Sequence, residues 1–192
     1  GEANRSSIDG DCDDGNNDRF PTNPEDIADG VDQDCDGEEL CYRDNDGDNV
    51  GQPGTIVSTD FDCDDNNEAS VDGDCNDGNV NIFPGATEGI ADDTDQNCDG
   101  QELCYFDSDN DGYGTATTTI SADLDCADNT ESYNDEDCAD GNPSINPDGT
   151  DVPGNTLDED CNDRLMCWLD NDNDGSFGTQ FSGESPNLTC ST

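Results

Sequence analysis

The chain has 192 residues, of which 52 are acidic and four are basic, with no histidine and a formal net charge of -48. Only 26 residues are Leu, Ile, Val or Phe, which is too few for an ordinary hydrophobic core. Because this charge repels nucleic acid and anionic membranes, we expect no nucleic-acid partner and expect cations as ligands. No apolar run is long enough to cross a bilayer, so we expect no membrane insertion.

Twelve cysteines divide the chain into three copies of one unit. Equivalent cysteines recur every 63 residues, with a displacement of one only at the last, and glycine, proline and aromatic positions recur with them. We predict a leader at residues 1–8, followed by repeats at 9–70, 71–134 and 135–192. The chain begins at glycine rather than methionine, so we expect a processed mature form or a fragment.

The first acidic loop of each repeat surrounds its first cysteine. Alternate residues of a tightly turning loop can direct carboxylates at one centre, and Ca²⁺ takes six to eight oxygen ligands. The predicted metal ligands of this loop are Asp9, Asp11, Asp13 and Asp14 in the first repeat, Asp72, Asp74 and Asp77 in the second, and Asp135, Asp137 and Asp140 in the third.

The second acidic loop surrounds the second cysteine and is preceded by a carboxylate that follows a shared proline. That carboxylate is Glu25, Glu88 or Asp151 in the successive repeats, and it is a candidate bidentate ligand. The other ligands predicted here are Asp32, Asp34 and Asp36 in the first repeat, Asp95, Asn97 and Asp99 in the second, and Asp158 and Asp160 in the third.

The third acidic loop follows the third cysteine and has the spacing D-x-D-x-D. Calcium loops of the EF-hand type use this spacing with a glycine directly afterwards, and Asn49, which tolerates a left-handed backbone, replaces that glycine in the first repeat. The glutamate at position 12 of an EF-hand is missing, so we expect ligands from elsewhere and no helix-flanked EF-hand. The predicted ligands are Asp44, Asp46 and Asp48, then Asp107, Asp109 and Asp111, and finally Asp170, Asp172 and Asp174.

Calcium suits these loops better than other metals. Two like charges 4 Å apart repel by about 1 kcal/mol even in water, so a cluster of carboxylates needs a cation to hold it together. Zinc and copper prefer nitrogen and sulfur donors, whereas magnesium retains its waters. We therefore predict several Ca²⁺ ions per chain, with metal binding and folding coupled in one equilibrium.

Between the acidic loops, residues 55–58 and 115–120 are rich in β-forming side chains and follow glycines, so we predict short strands there. No segment shows a sustained helical period. The predicted fold is therefore small and mostly irregular or β, with three tandem repeats of about 63 residues that contain short strands and many loops and are stabilised by disulfides and calcium.

The cysteines are predicted to form disulfides rather than zinc sites, because no C-x2-C pair occurs. This implies an oxidising compartment, either outside the cell or in the periplasm. Four cysteines per repeat allow three pairings, and we favour first with second and third with fourth. The favoured pairs are Cys12–Cys35, Cys41–Cys63, Cys75–Cys98, Cys104–Cys126, Cys138–Cys161 and Cys167–Cys190.

The stretch GDCNDGNVNIFPGATEGIADDTDQNCDGQELCYFDSDNDGYG, residues 73–114, resembles the metal-binding repeats of the MopE-like family and, more loosely, the calcium-wrapped type 3 repeats of thrombospondins. The resemblance implies a metal-binding repeat of secreted or surface proteins, although the family's copper association is not expected in a chain without histidine. The chain departs from the family pattern at Asn49, Ala139, Asn162 and Asp163. The ligands implied are Asp72, Asp74, Asp77, Glu88, Asp95, Asp99, Asp107, Asp109 and Asp111.

These observations together predict a secreted, calcium-binding structural repeat protein at the cell surface. Because tandem repeats stack quasi-linearly, we expect self-association into a homopolymer, as the subunit of a fibre or filament. The alternative is a rigid calcium-dependent spacer or adhesin module of a larger surface protein. No enzyme is expected, since the chain lacks histidine and lysine and no carboxylate pair stands out. Sequons at residues 4–6 and 187–189 permit glycans.

Overall fold

The computed structural model describes residues 10–170, 176 and 181–185. Within these residues there is no helix, and eight short strands form three separate antiparallel sheets. Strands this short arise because β-forming residues occur only in brief runs between glycine- and aspartate-rich loops. The strands are β1 (Glu39–Arg43), β2 (Gln52–Ser58), β3 (Glu68–Ala69), β4 (Leu103–Phe106), β5 (Thr115–Ile120), β6 (Glu131–Ser132), β7 (Leu165–Trp168) and β8 (Phe181–Ser185).

The sheets repeat one plan. β1 carries the third cysteine of the first repeat and pairs with β2 on one side and β3 on the other. β4 pairs with β5 and β6 in the same way, and β7 pairs with β8. In each hairpin the register shifts within the last two residues of the first strand, so regular pairing is interrupted shortly before the D-x-D-x-D loop begins.

The sequence predictions of strands are confirmed. Residues 55–58 lie in β2 and residues 115–120 coincide with β5. The described part of the chain is small, helix-free and rich in loops, as predicted. The repeat boundaries at 9–70, 71–134 and 135–192 stay a prediction.

Five predicted disulfides are confirmed. They close loops of similar length in successive repeats and leave no free cysteine in the described part of the chain. The sixth predicted pair, Cys167–Cys190, includes a residue that lies outside the described ranges. The confirmed pairs are Cys12–Cys35, Cys41–Cys63, Cys75–Cys98, Cys104–Cys126 and Cys138–Cys161.

The interior is more polar than apolar. In the described residues, eight hydrophobic side chains are buried, four of them cysteines, against fourteen buried polar or charged ones. The apolar members are small or scattered, with Leu165 the largest that is fully buried. Burial of so little apolar surface cannot by itself offset the conformational entropy of folding, so the polar interior must be stabilised in another way.

Backbone contacts divide the chain into two compact units. One contains the described residues up to Thr87 together with Asp95–Asp99, and the other contains Glu88–Thr94 and the described residues from Gly100 onward. With the predicted boundaries, the first unit therefore contains repeat 1 and part of repeat 2, and the second contains the remainder of repeat 2 and repeat 3. In the part of the chain described here, no helix has the length and apolar character needed to cross a membrane.

Candidate metal centre

The D-x-D-x-D loop of the first repeat follows β1 and is folded by its own aspartates. Asp44 is only 3% exposed, and it accepts hydrogen bonds from the backbone N of Gly47 at 2.7 Å and of Asn49 at 3.0 Å. Asn49 has a φ of 72°, which confirms the left-handed backbone expected where the other repeats have glycine. The loop therefore closes around its first aspartate.

The next two aspartates of this loop each have one oxygen bonded and one oxygen free of donors. Oδ1 of Asp46 accepts the backbone N–H of Asp48, and Oδ1 of Asp48 accepts that of Val50. Oδ2 of each is buried and has no hydrogen-bond donor. One carboxylate oxygen from each of Asp44, Asp46 and Asp48 lies within 4.8 Å of the others. Buried acceptors without donors are costly, which points to a ligand at this place.

The first-cysteine loop of the second repeat lies against the same loop. Gly51 N donates to Val71 O at 2.7 Å, and Gly51 O accepts from the backbone N of Gly73 and of Asp74 at 3.0 and 3.1 Å. Asp74 is 5% exposed. Its Oδ1 accepts from Asn76 N at 2.8 Å, and its Oδ2 is buried without a donor. We call Asp44, Asp46, Asp48 and Asp74 the first junction cluster, because they come from two consecutive repeats.

The carboxylates of the first junction cluster affect one another's ionisation. Desolvation raises the pKa of Asp74 above its ordinary value, and the charges on Asp46 and Asp44 raise it further. Desolvation also raises the pKa of Asp48, to which the charges on Asp46 and Asp74 contribute. Since these influences cross the repeat boundary, the four groups form one electrostatic unit whose mutual repulsion a bound cation would reduce.

A second junction cluster, made of Asp107, Asp109, Asp111 and Asp137, has the same construction 63 residues later. Asp107 is 2% exposed and accepts from the backbone N of Asn110 at 2.6 Å and of Gly112 at 3.0 Å. Both carboxylate oxygens of Asp109 and Oδ2 of Asp137 are buried without donors. Desolvation raises the pKa of Asp109, and the charges on Asp111 and Asp137 add to it. The cluster differs at Asp111, whose Oδ2 accepts from Asn146 Nδ2 at 2.7 Å.

Two predicted ligands tie one repeat to the next through hydrogen bonds. Asp77 accepts the backbone N of Asn45 at 2.6 Å, the Nε2 of Gln52 at 2.7 Å, and the side-chain amide of Asn45. Its equivalent Asp140 accepts the backbone N of Ser108 at 2.7 Å. Both oxygens of Asp77 are thus occupied by donors from the preceding repeat, which holds the two loops of the first junction together.

A further cluster lies within the first repeat. Carboxylate oxygens of Glu25, Asp32 and Asp34 lie within 4.8 Å of one another. Oε1 of Glu25 accepts the backbone N of Gln33 at 2.8 Å and of Asp34 at 2.7 Å, whereas its Oε2 is buried without a donor. Desolvation raises the pKa of Glu25, with contributions from the charges on Asp34 and Glu39. The structure thus places the predicted glutamate beside the second-cysteine loop.

The third repeat builds the same arrangement with altered residues. Asp151 is 5% exposed, its Oδ1 accepts Glu159 N at 3.0 Å, and its Oδ2 is buried without a donor. Desolvation raises the pKa of Asp160, and the charge on Asp151 contributes. Asp158 accepts the backbone N of Asn162 and of Asp163, as Asp32 does from Asp36 and Gly37. Asp163 adopts a φ of 62°, so the departure from the family pattern leaves this turn intact.

The sequence prediction missed two equivalent pairs of glutamates, of which one pair is buried and the other half-buried. Glu39 and Glu102 occupy equivalent positions and are each 1% exposed. Glu102 accepts the backbone N of Thr94 and of Leu103. Glu68 and Glu131 are also equivalent, and each has an Oε2 that is buried without a donor. None belongs to a D-x-D spacing, but their recurrence 63 residues apart was a signal in the sequence.

The remaining predicted ligands are more exposed or lie elsewhere. Asp11 and Asp13 stabilise their own turn by accepting the backbone N of Asp13 and of Gly15, and Asp95 accepts that of Asp99. Asp170 is partly buried. Asp9, Asp172 and Asp174 lie outside the described residues, as do both sequons. The predicted ligands whose side chains are exposed are Asp11, Asp14, Asp36, Asp72, Asp99 and Asp135.

Two mixed groups do not qualify as metal sites. Asp74 lies near Cys75 and Cys98, and Asp137 near Cys138 and Cys161, but both cysteine pairs are disulfides. A disulfide sulfur is not the thiolate that binds metals. The donors available at these loops are therefore oxygens.

Comparison with known protein families identifies a metal-binding motif in this chain. The model of the family Cu-binding_MopE, described as "Putative metal-binding motif", matches residues 11–39, 62–71, 74–102 and 137–165, which together make up just over half of the chain. The resemblance to the MopE-like family is confirmed. No curated protein and no solved structure matches the chain. The matched segments include Glu25, Asp74 and Asp151. The first two D-x-D-x-D loops lie between matched segments, and the third follows the last of them.

Proposed function

This chain belongs to the Cu-binding_MopE metal-binding family, and on that premise we propose that it is an extracellular structural protein whose repeats are held together by bound Ca²⁺. One observation carries the proposal. Buried carboxylate oxygens without donors recur in clusters at equivalent places of successive repeats. In a chain with so few buried apolar groups, these clusters occupy the interior that hydrophobic side chains normally fill.

Electrostatics support a bound cation at each cluster. The carboxylate oxygens of each cluster lie within 4.8 Å of one another. At that upper limit two carboxylates repel by about 1 kcal/mol in water and by about 3 kcal/mol at an effective dielectric constant near 20. Desolvation adds to this cost for the buried members. A divalent cation reverses the sign of these interactions, so that the same carboxylates stabilise the fold when it is bound.

The donor chemistry supports calcium rather than copper. The clusters offer carboxylate and amide oxygens, the chain has no histidine, and the cysteines of the confirmed pairs are oxidised. Copper prefers imidazole and sulfur donors, whereas Ca²⁺ accepts six to eight oxygens in irregular arrangements. Magnesium requires near-octahedral geometry and retains waters, which fits these crowded carboxylate loops less well.

We extend the proposal to secretion and self-association. The disulfides suit an oxidising environment outside the cell. The loops that join consecutive repeats within one chain can also contact the equivalent loops of a second copy. Head-to-tail contacts that do not close into a ring yield a filament. We assign the chain no catalytic role. Its sequence contains no histidine or lysine, and the described residues include no free thiol that could act as a nucleophile.

Elemental analysis and calorimetry test the metal assignment. The oxidised protein is dialysed against chelator and then titrated with Ca²⁺, Mg²⁺ and Cu²⁺ in parallel. We expect several Ca²⁺ ions to bind per chain, with weaker Mg²⁺ binding and no specific Cu²⁺ site. Preferential binding of Cu²⁺, or the absence of Ca²⁺ binding, would contradict the proposal.

Electron microscopy and light scattering test the assembly. Calcium-loaded protein is expected to form linear polymers that shorten when chelator is added. A monomer in both conditions would refute the homopolymer and favour the alternative role as a rigid calcium-dependent spacer or adhesin module of a larger surface protein.

A further inference from the structure

The first junction cluster has an additional carboxylate that the D-x-D-x-D spacing does not include. Counting from Asp44, the position at which an EF-hand places its glutamate is Thr55, which lies in β2 opposite Tyr42. On the other side of β1, Glu68 in β3 pairs with Arg43, the residue directly before Asp44. Asp44 N also donates to Asn67 O at 3.1 Å. The sheet therefore brings a distant glutamate to the start of the loop.

Glu68 faces the same space as the first two loop aspartates. It lines a cavity of about 450 Å³ together with Asp44 and Asp46, and its Oε2 is buried without a donor. A glutamate in such a position can supply the two oxygens that the twelfth-position glutamate supplies in an EF-hand.

The second junction cluster repeats these features. Glu131 in β6 pairs with Phe106, the residue directly before Asp107, and Asp107 N donates to Thr130 O at 3.1 Å. The Oε2 of Glu131 is buried without a donor, as is Oδ2 of Asp137, whose side chain is 8% exposed. The same unsatisfied oxygens thus occur twice, on equivalent residues in different units.

We propose that each junction cluster and its glutamate form one cation site that spans two consecutive repeats. The first site consists of Asp44, Asp46, Asp48, Glu68 and Asp74, and the second of Asp107, Asp109, Asp111, Glu131 and Asp137. This inference rests on the proposed function for the identity of the ion. It adds the ligands that the loops lack and gives the ion a role as the link between neighbouring repeats.

The link follows from where the ligands are anchored. Asp74 precedes Cys75 and is held at Gly51 by backbone hydrogen bonds, whereas Glu68 is held by β1. A cation bound by both connects the disulfide loop of one repeat to the sheet of the repeat before it. Without the cation, the charges on Asp44, Asp46 and Asp74 oppose this contact, so neighbouring repeats lose their coupling when the ion leaves.

Amide variants test the ligand assignment. E68Q and D74N keep the side-chain shape and remove one charge from the first site, and E131Q and D137N do the same at the second. Calorimetry measures the binding of Ca²⁺. Terbium luminescence gives a second measurement, because nearby tyrosines such as Tyr113 can excite the emission of a bound terbium ion. We expect each variant to lose one high-affinity ion, with affinity at that site lowered by about tenfold or more. E136Q changes an exposed carboxylate beside Asp137 and serves as the control.

Cooperativity of unfolding tests the link. With Ca²⁺, the wild-type protein is expected to unfold in urea with fewer separate transitions than D74N or D137N, because the junction ion makes adjacent repeats unfold together. A variant that fails to fold loses the ions of every site, whereas loss of one ion with the others retained identifies a ligand.

The outcomes separate this inference from the function on which it rests. If the wild-type protein binds no Ca²⁺, both are overturned. If it binds Ca²⁺ while E68Q and D74N keep wild-type stoichiometry and affinity, only the junction site is overturned. Loss of one ion without any change in the number of unfolding transitions would overturn the link between repeats.

Discussion

Replacing Asp46 by asparagine is expected to stabilise the metal-free protein and destabilise the calcium-loaded protein. Asp46 has a buried Oδ2 without a donor, and an oxygen of its carboxylate lies within 4.8 Å of oxygens on Asp44 and Asp48. In asparagine, an N–H₂ group takes the place of one oxygen. It can donate to these neighbours, while the remaining oxygen can still accept the backbone N–H of Asp48.

The size of the effect follows from the distances. The oxygens of each pair lie within 4.8 Å of each other, and at that limit a pair contributes between about 1 kcal/mol of repulsion in water and about 3 kcal/mol at an effective dielectric constant near 20. Asp46→Asn should therefore raise the unfolding free energy of the metal-free protein by roughly 1–3 kcal/mol. With Ca²⁺ present, a tenfold loss of affinity at saturating metal lowers the unfolding free energy by about 1.4 kcal/mol.

Urea denaturation of the oxidised protein, followed by circular dichroism in chelator and in excess Ca²⁺, measures both effects. Asp26→Asn is the control, since Asp26 is exposed and belongs to no described cluster. It should change stability little in either condition. If Asp46→Asn destabilises the metal-free protein as much as the calcium-loaded one, the carboxylates are not held together against repulsion and the reasoning is wrong.

Three other expectations concern pH, disulfides and packing. Desolvation raises the pKa of Asp74 and of Asp137, so the folded metal-free protein binds protons more tightly than the unfolded chain. The stability of the metal-free protein should therefore fall as the pH rises from acidic to neutral. The stability of the calcium-loaded protein should instead fall as the pH drops over the same range. Urea unfolding midpoints measured at acidic and at neutral pH, with and without Ca²⁺, will show both trends. Cys41→Ser should cost about 3 kcal/mol by removing one bridge, measured in the same way. Gly51→Ala should lower the melting temperature because its Cβ would lie 2.7 Å from a side-chain carbon and 2.8 Å from a backbone oxygen, whereas Gly141→Ala, with no atom within 4 Å, should not.

Much of the local structure could be predicted because it depends on short-range spacing. The disulfide partners recur at fixed intervals, the strands follow runs of β-forming residues, and the D-x-D-x-D loops fold through hydrogen bonds between an aspartate and the backbone a few residues on. The position of Asn49 is an example. Its tolerance of a left-handed backbone was predicted from its place in the loop, and its φ of 72° confirms it.

The composition of the junction clusters could not be predicted in this way. The sequence assigned Asp44 and Asp74 to separate loops because each is near a different cysteine. They come together through the hydrogen bonds of Gly51 with Val71, Gly73 and Asp74, which no spacing rule encodes. Glu68 was missed because it follows no alternating pattern.

The central claim is that divalent cations stabilise an interior that apolar side chains cannot. Amide hydrogen exchange of the oxidised protein, measured by mass spectrometry in Ca²⁺ and again after exhaustive chelation, tests it most directly. We predict strong protection of segments 44–51 and 107–114 with Ca²⁺ and loss of that protection without it, while the disulfides stay intact. Equal protection in the two conditions would contradict the claim.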